Sequence, residues 1–278
     1  NASIWTQLLL FDTLIRPSAD GKGLEPGLAE SWSVSDDGLT LSFQLREARF
    51  ADGTPVTAED VRHSLERAAS EGSRWRRFFS PLTGIEAVGE REVRLTLEAP
   101  FTPAFNNLAL FSAAILPAAR LEAEGDGFFA APIGSGPFVL SDWARGSRLV
   151  LEANPHYWQE GRPGFERAEL EIVTEGSARV IRLEAGEVDI ILDPPLSQLA
   201  ALEAASGITV GQAVPFRSDF VLLNTTRAPF DHIRVRQALN LAIDKQAIID
   251  GVLYGAGTVA ASAMPPMAHA DPDLAPWP

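Results

Sequence analysis

The side chains able to do chemistry are spaced for binding rather than for catalysis. The four histidines, His63, His156, His232 and His269, stand far apart, and none makes the His-Glu-x-x-His pattern of a helical zinc site. The 37 aspartates and glutamates make chance carboxylate pairs unavoidable, so no pair is singled out as an acid–base couple. Cysteine is absent, which excludes disulfides, thiolate catalysis and cysteine-held zinc or iron–sulfur centres. Gly134-Ser135-Gly136 is not the Gly-x-Ser-x-Gly of a nucleophile elbow, and it lacks the Lys and Thr of a phosphate loop. Asp36-Asp37-Gly38 lacks the ligand spacing of a calcium loop and reads as a solvated turn. These patterns point to no enzyme, no cofactor and no metal site.

Three segments do carry binding chemistry. The Gly134-Ser135-Gly136 turn has no bulky side chain, so another molecule can approach its backbone and meet free N–H groups. The alternative is a tight turn at a domain junction. Ser73-Arg74-Trp75-Arg76-Arg77-Phe78-Phe79 is a basic, aromatic cluster in an acidic chain. From the residues alone it reads as a surface loop with two rings folded inward. Pro215-Phe216-Arg217-Ser218-Asp219-Phe220 mixes rings, a guanidinium and a hydroxyl, as a cleft edge would. Arg217 is either a carboxylate clamp with paired donors or a plain surface arginine.

The elements that must position these segments are legible from periodicity. Ile4, Leu8, Phe11 and Ile15 are spaced for one helix face. Residues 39–45 and 93–98 alternate as half-buried antiparallel strands. Thr57 is placed to cap a helix whose core face is Val61, Leu65 and Ala68 and which ends by Gly72. Residues 100–131 look helical, with Pro103 and Pro117 near segment starts. An apolar strand follows the glycine turn, and residues 148–153 form another. Beyond Trp158 the pattern becomes mixed. Residues 168–173 read as a strand, and Ser177 opens a helix stopped by Gly186. Residues 188–192 read as a buried strand in which Asp189 is a satisfied structural carboxylate, the alternative being a contact with an interlobe hinge. Residues 196–205 read as a helix, and residues 208–210 and 221–223 as strands. Residues 234–241 and 245–252 are predicted helices, the second capped by Asp244. From Ala256 the chain shows no periodicity.

The 278 residues suggest roughly two domains. The formal charge of −14 argues against a nucleic-acid partner, whose phosphates need basic patches. The longest nearly apolar run, residues 108–116, is too short to span a bilayer.

Several motifs also carry a family resemblance. They include Leu24-Glu25-Pro26-Gly27-Leu28-Ala29-Glu30-Ser31-Trp32, Phe50-Ala51-Asp52-Gly53-Thr54-Pro55-Val56-Thr57-Ala58-Glu59-Asp60-Val61, and Pro132-Ile133-Gly134-Ser135-Gly136-Pro137-Phe138 followed by Asn154-Pro155-His156-Tyr157-Trp158. Gly186-Glu187-Val188-Asp189-Ile190 and Pro229-Phe230-Asp231-His232-Ile233-Arg234 complete the series. In this order the motifs resemble the extracellular solute-binding proteins, family 5, of peptide and nickel ABC importers.

The resemblance implies an α/β, periplasmic binding protein-like (type II) two-lobe architecture with mixed sheets and an inserted α+β domain. Residues 1–10 would end a first-lobe segment, 11–131 form the insert, 132–230 complete the first lobe, and 231–278 begin a truncated third lobe. Family members are longer, so we expect a fragment, with any signal or lipid anchor outside this chain. The implied ligand contacts are Trp5, which would otherwise be a core tryptophan, Phe78, Gly134, Ser135, Gly136, Phe216, Arg217, Ser218 and Phe220. The implied partners are a di- or oligopeptide in an interlobe cleft and the importer's permease subunits, with the protein a monomer at the periplasmic or extracellular face of the membrane. A nickel–chelate complex is the alternative ligand. Gly251-Val252-Leu253-Tyr254-Gly255 is similar to that branch, but Ala113 stands where it carries an arginine. A two-lobed hydrolase or a sensor module is the reading from a different class.

Overall fold

The computed structural model describes residues 2–213 and 217–264, with side chains from Thr6 onward. The chain divides into two compact units, Asn1–Ile172 and Val173–Pro278.

The first unit opens with α1 (Ala2–Leu10). The predicted helix face is cut short. Leu8 is exposed, and Ile15 is buried in a strand, β1 (Ile15–Pro17), paired antiparallel with β2 (Leu24–Pro26). The cause is local competition for the backbone. The carbonyls of Thr13 and Leu14 accept from the N–H groups of Leu28 and of Gly27 and Ala29, and the Thr13 hydroxyl donates to the Ile15 carbonyl.

Next come β3 (Ala29–Val34) and β4 (Thr40–Leu45), then α2 (Ala58–Ala69), the single turn α3 (Arg76–Phe79), β5 (Leu82–Val88) and β6 (Glu92–Leu97). The four strands form an antiparallel sheet in the order β3-β4-β6-β5. Alternation sends Leu41, Phe43 and Leu45 of β4 and Val93, Leu95 and Leu97 of β6 into one core. The register puts Phe43 opposite Val93 and Leu41 opposite Leu95. Helix α2 adds Val61, Leu65 and Ala68 to that core, as its spacing predicts, with Phe50 and Phe79 beside them.

Thr57 caps α2 as expected, and Asp60 completes a capping box. The Thr57 hydroxyl accepts from the Asp60 N–H at 3.3 Å, and the Asp60 carboxylate accepts from the Thr57 N–H at 2.9 Å. The other Asp60 oxygen accepts from the Ala118 N–H at 2.8 Å. This fastens α2 to the segment containing α4 (Ala104–Leu108) and α5 (Ala118–Glu124), which Pro103 and Pro117 immediately precede. Strands β7 (Phe138–Ala144), β8 (Arg148–Ala153) and β9 (Arg167–Glu171) form a three-stranded antiparallel sheet. Its Phe138 and Leu151 join Leu10, Phe11, Leu116, Leu121 and Phe128 in a second buried cluster.

The second unit contains α6 (Gly176–Glu184), α7 (Leu199–Ala204), α8 (Ile233–Ala242) and α9 (Lys245–Gly251). Asp244 caps α9, accepting from the Ala247 N–H at 2.8 Å, and Gly186 takes the left-handed φ of +71° expected of a stop. The cap of α6 is Glu175 rather than Ser177, because the carboxylate reaches the Ser177 N–H at 3.0 Å. The strands predicted at 188–192, 208–210 and 221–223 are not formed. Among the described residues no strand follows Val173, so an extended apolar run there has no neighbour to ladder with. Ile190 is accordingly 79% exposed and Leu222 84%, and Asp189 faces solvent instead of being a satisfied buried carboxylate.

Candidate functional site

The predicted contact Phe78 and its neighbour Phe79 separate by burial. Phe78 and Phe79 are one helical step apart on α3, so they face in different directions. Phe79 is 1% exposed and belongs to the core, while Phe78 is half-buried at its margin. The Phe78 carbonyl accepts from Asn107 Nδ2 at 2.8 Å, which fixes its backbone. Its ring lies 5.7 Å from Trp75, and the Arg77 guanidinium sits over it at 4.8 Å. Trp75 in turn meets Phe111 edge-on, with centroids 4.8 Å apart. The result is a fixed platform of three partly buried rings with a cation on one face. Such a surface covers an apolar or π group while offering guanidinium donors to an oxygen.

The glycine turn is enclosed by its own chain. Gly134, Ser135 and Gly136 are all buried. A Cβ on Gly134 would lie 1.9 Å from the Leu10 carbonyl oxygen, and one on Gly136 would lie 2.5 Å from the Leu10 carbonyl carbon. The Gly136 N–H donates to Leu10 at 3.0 Å, and the Gly134 carbonyl accepts from Ala51 at 2.9 Å. The glycines therefore admit a neighbouring backbone segment, and the N–H of Gly136 is not free for a ligand as the sequence led us to expect. The motif at 154–158 braces the same turn. Asn154 Nδ2 donates to the Gly136 carbonyl at 2.8 Å, and the Asn154 carboxamide oxygen accepts from the His156 N–H at 2.9 Å.

Beside this turn lies a buried polar network that the sequence reading did not assign. Asp12 is 8% exposed and accepts from Trp158 Nε1 at 2.9 Å. The Arg46 guanidinium stacks over the Trp158 ring at 3.8 Å and donates to the Gly27 carbonyl, while Arg16 lies 5.4 Å from the same ring and pairs with Glu25 at 2.7 Å. Burial pushes the Asp12 carboxyl up to about 6, against the opposing pull of Trp158, Arg16, Arg46 and Ser135. Burial, with Asp12 nearby, pushes the Tyr157 hydroxyl up to about 12. One signal in the sequence could have found the network: a lone carboxylate inside the apolar run Leu8-Leu9-Leu10-Phe11-Asp12.

Trp5 lies on α1, and its side chain is outside the described residues, as is all of Phe216. In the second unit Arg217 pairs with Asp219 at 2.9 Å, both largely exposed. Ser218 is half-buried and Phe220 is 61% exposed. A cavity of about 250 Å³ lies between the β1–β2 hairpin and α4, lined by Lys22, Leu24, Asn106 and Leu110 among others, and an open groove of about 570 Å³ runs along α8. Neither is lined by a predicted contact residue.

Residues 23–277 match the bacterial extracellular solute-binding proteins, family 5 (middle region). The chain is 37% identical over 257 residues to the probable D,D-dipeptide-binding periplasmic protein DdpA of Escherichia coli (strain K12), covering 89% of this chain and 50% of that protein. It superposes with a TM-score of 0.84 on AgaA of A. tumefaciens R10 in complex with agropinic acid, at 33% identity, covering 97% of this chain and 55% of that one. It superposes equally, with a TM-score of 0.84 at 27% identity, on NikA of Brucella suis in complex with Fe(III)-EDTA, covering 94% and 54%. The chain thus spans about half the length of the curated relatives it matches.

Proposed function

The chain belongs to the bacterial extracellular solute-binding proteins of family 5, and on that premise we propose that it is the solute-capturing part of an ABC importer. Its mixed α/β fold with several sheets is that of the family's periplasmic binding proteins. Among the described residues no helix is long and apolar enough to cross a membrane. The solute is a di- or oligopeptide, and it is handed to the permease subunits at the periplasmic or outer face of the membrane. The protein performs no catalysis on it.

The observation that carries this reading is the platform of Trp75, Phe78 and Phe111 under the Arg77 guanidinium. It joins apolar cover to charged donors, which suits a peptide's side chains and carbonyls. The DdpA likeness favours a short peptide. Phe78 is the first contact we assign; Trp5, Phe216, Arg217, Ser218 and Phe220 follow from the resemblance. Gly134, Ser135 and Gly136 enter as the buried turn that holds neighbouring segments in place. In lobe terms, residues 1–10 and 132–230 form the first lobe, 11–131 the insert and 231–278 the start of the third.

The NikA likeness favours a second reading, a metal–chelate solute. Ala113 opposes it, because it is 1% exposed and has no cation to pair with chelate carboxylates. Mass spectrometry of small molecules released from the gently purified intact protein separates the two. The expected result is a set of peptide masses. A single metal–chelate or other non-peptide species would overturn the peptide assignment.

A further inference from the structure

The Asp12 network joins four separate segments of the first unit. Its carbonyl accepts from the Ile115 N–H at 2.9 Å, and its carboxylate accepts from Trp158 Nε1. Ser135, from the buried glycine turn, lies beside it, fully buried, without closing a normal hydrogen bond. The groups that face Asp12 are Arg16 from β1, Arg46 from the segment after β4, Ser135 from the turn, and Tyr157 and Trp158 from the segment after β8. Behind the two arginines stand Glu25, paired with Arg16, and Glu30, which acts on Arg46.

Neither arginine touches the carboxylate. Arg46 is spent on the Gly27 carbonyl and the Trp158 ring, and Arg16 on Glu25 and the Tyr157 hydroxyl. A buried carboxylate with a single direct donor is incompletely compensated when ionised. The Ser135 hydroxyl can turn to donate to the ionised form or accept from the protonated one.

We propose that Asp12 is the titratable pin of a joint that fastens the end of α1, the Ile115 segment, the Gly134–Gly136 turn and the Tyr157–Trp158 segment, tightening when it takes up a proton and loosening when it gives the proton up. The sign follows from linkage. Asp12's folded pKa, about 6, lies above its ordinary value of 3.8, so the folded state holds the proton more tightly than the unfolded one. The added stability is fully present below the ordinary value and is lost as the pH rises through about 6. Between pH 5 and pH 7.5 the folding equilibrium weakens about tenfold from this group alone.

The test is a pH titration of the isotopically labelled 278-residue chain by NMR, following the Asp12 carboxyl carbon and the Trp158 indole N–H together. The expected result is one midpoint near 6 for both signals. Protection of the Ile115 and Gly136 amides against exchange should fall about tenfold from pH 5 to pH 7.5. Asp12→Asn keeps an acceptor for Trp158 and should make both the indole signal and the protection independent of pH in this range. Arg46→Met removes a neighbouring cation and should raise the Asp12 midpoint. An Asp12 midpoint near 4, an indole signal that does not follow it, or the same pH dependence in Asp12→Asn would overturn the proposal. The wild-type titration decides the question even if a variant fails to fold.

Discussion

Phe78 and Phe79 show how one step along the chain separates a half-buried ring from a core one. Phe79→Ala empties a fully buried site and should cost about 3–5 kcal/mol in urea unfolding. Phe78→Ala removes a half-buried ring and should cost no more than about 2 kcal/mol, while weakening peptide binding about tenfold in calorimetry on the intact protein. Unchanged affinity in Phe78→Ala would remove that ring from the proposed contacts. The aromatic cluster was legible in the sequence, but which ring points inward was not, because the phase of that single helical turn is set by the distant core residues it packs on. The isolated Asp12 in an apolar run was likewise visible. Its partner Trp158 lies 146 positions away, and only the folded chain brings the two together.

At the scale of elements, local rules held where the element supplies its own partners. The Thr57–Asp60 capping box needs only four consecutive residues, and Thr57→Ala should lose about 1–2 kcal/mol of stability by thermal or urea denaturation. Alternation in β4 and β6 correctly named the buried face, because one side of that sheet packs under α2. The glycine turn misled in an instructive way. Its small residues do permit a close approach, but the approaching group is the Leu10 backbone. Gly134→Ala, with its methyl 1.9 Å from that carbonyl oxygen, should destabilise by at least about 3 kcal/mol or prevent folding. A soluble variant with wild-type melting behaviour would show that the turn relaxes and does not hold the segments.

At the scale of the molecule, buried apolar side chains are concentrated in one unit. Within the described second unit those below the surface are Val180, Leu202 and Ile249, against the two large clusters of the first. Local stability follows buried contacts. Limited proteolysis with mass mapping should therefore cut within residues 173–264 before it cuts β4 or β6, and the reverse order would contradict this account. The sequence by itself determined the composition class, the poverty of catalytic patterns, the helices with their own caps, the alternating strands and, through ordered motifs, the family. These are properties of a few neighbouring residues or of a pattern along the line of the chain. The tertiary structure decided which apolar runs become strands, which ring stays at the surface, why Gly134 and Gly136 must be small, and that Asp12 is buried against Trp158. Each depends on a partner distant in sequence, and burial, strand pairing and electrostatic compensation exist only once that partner is in place.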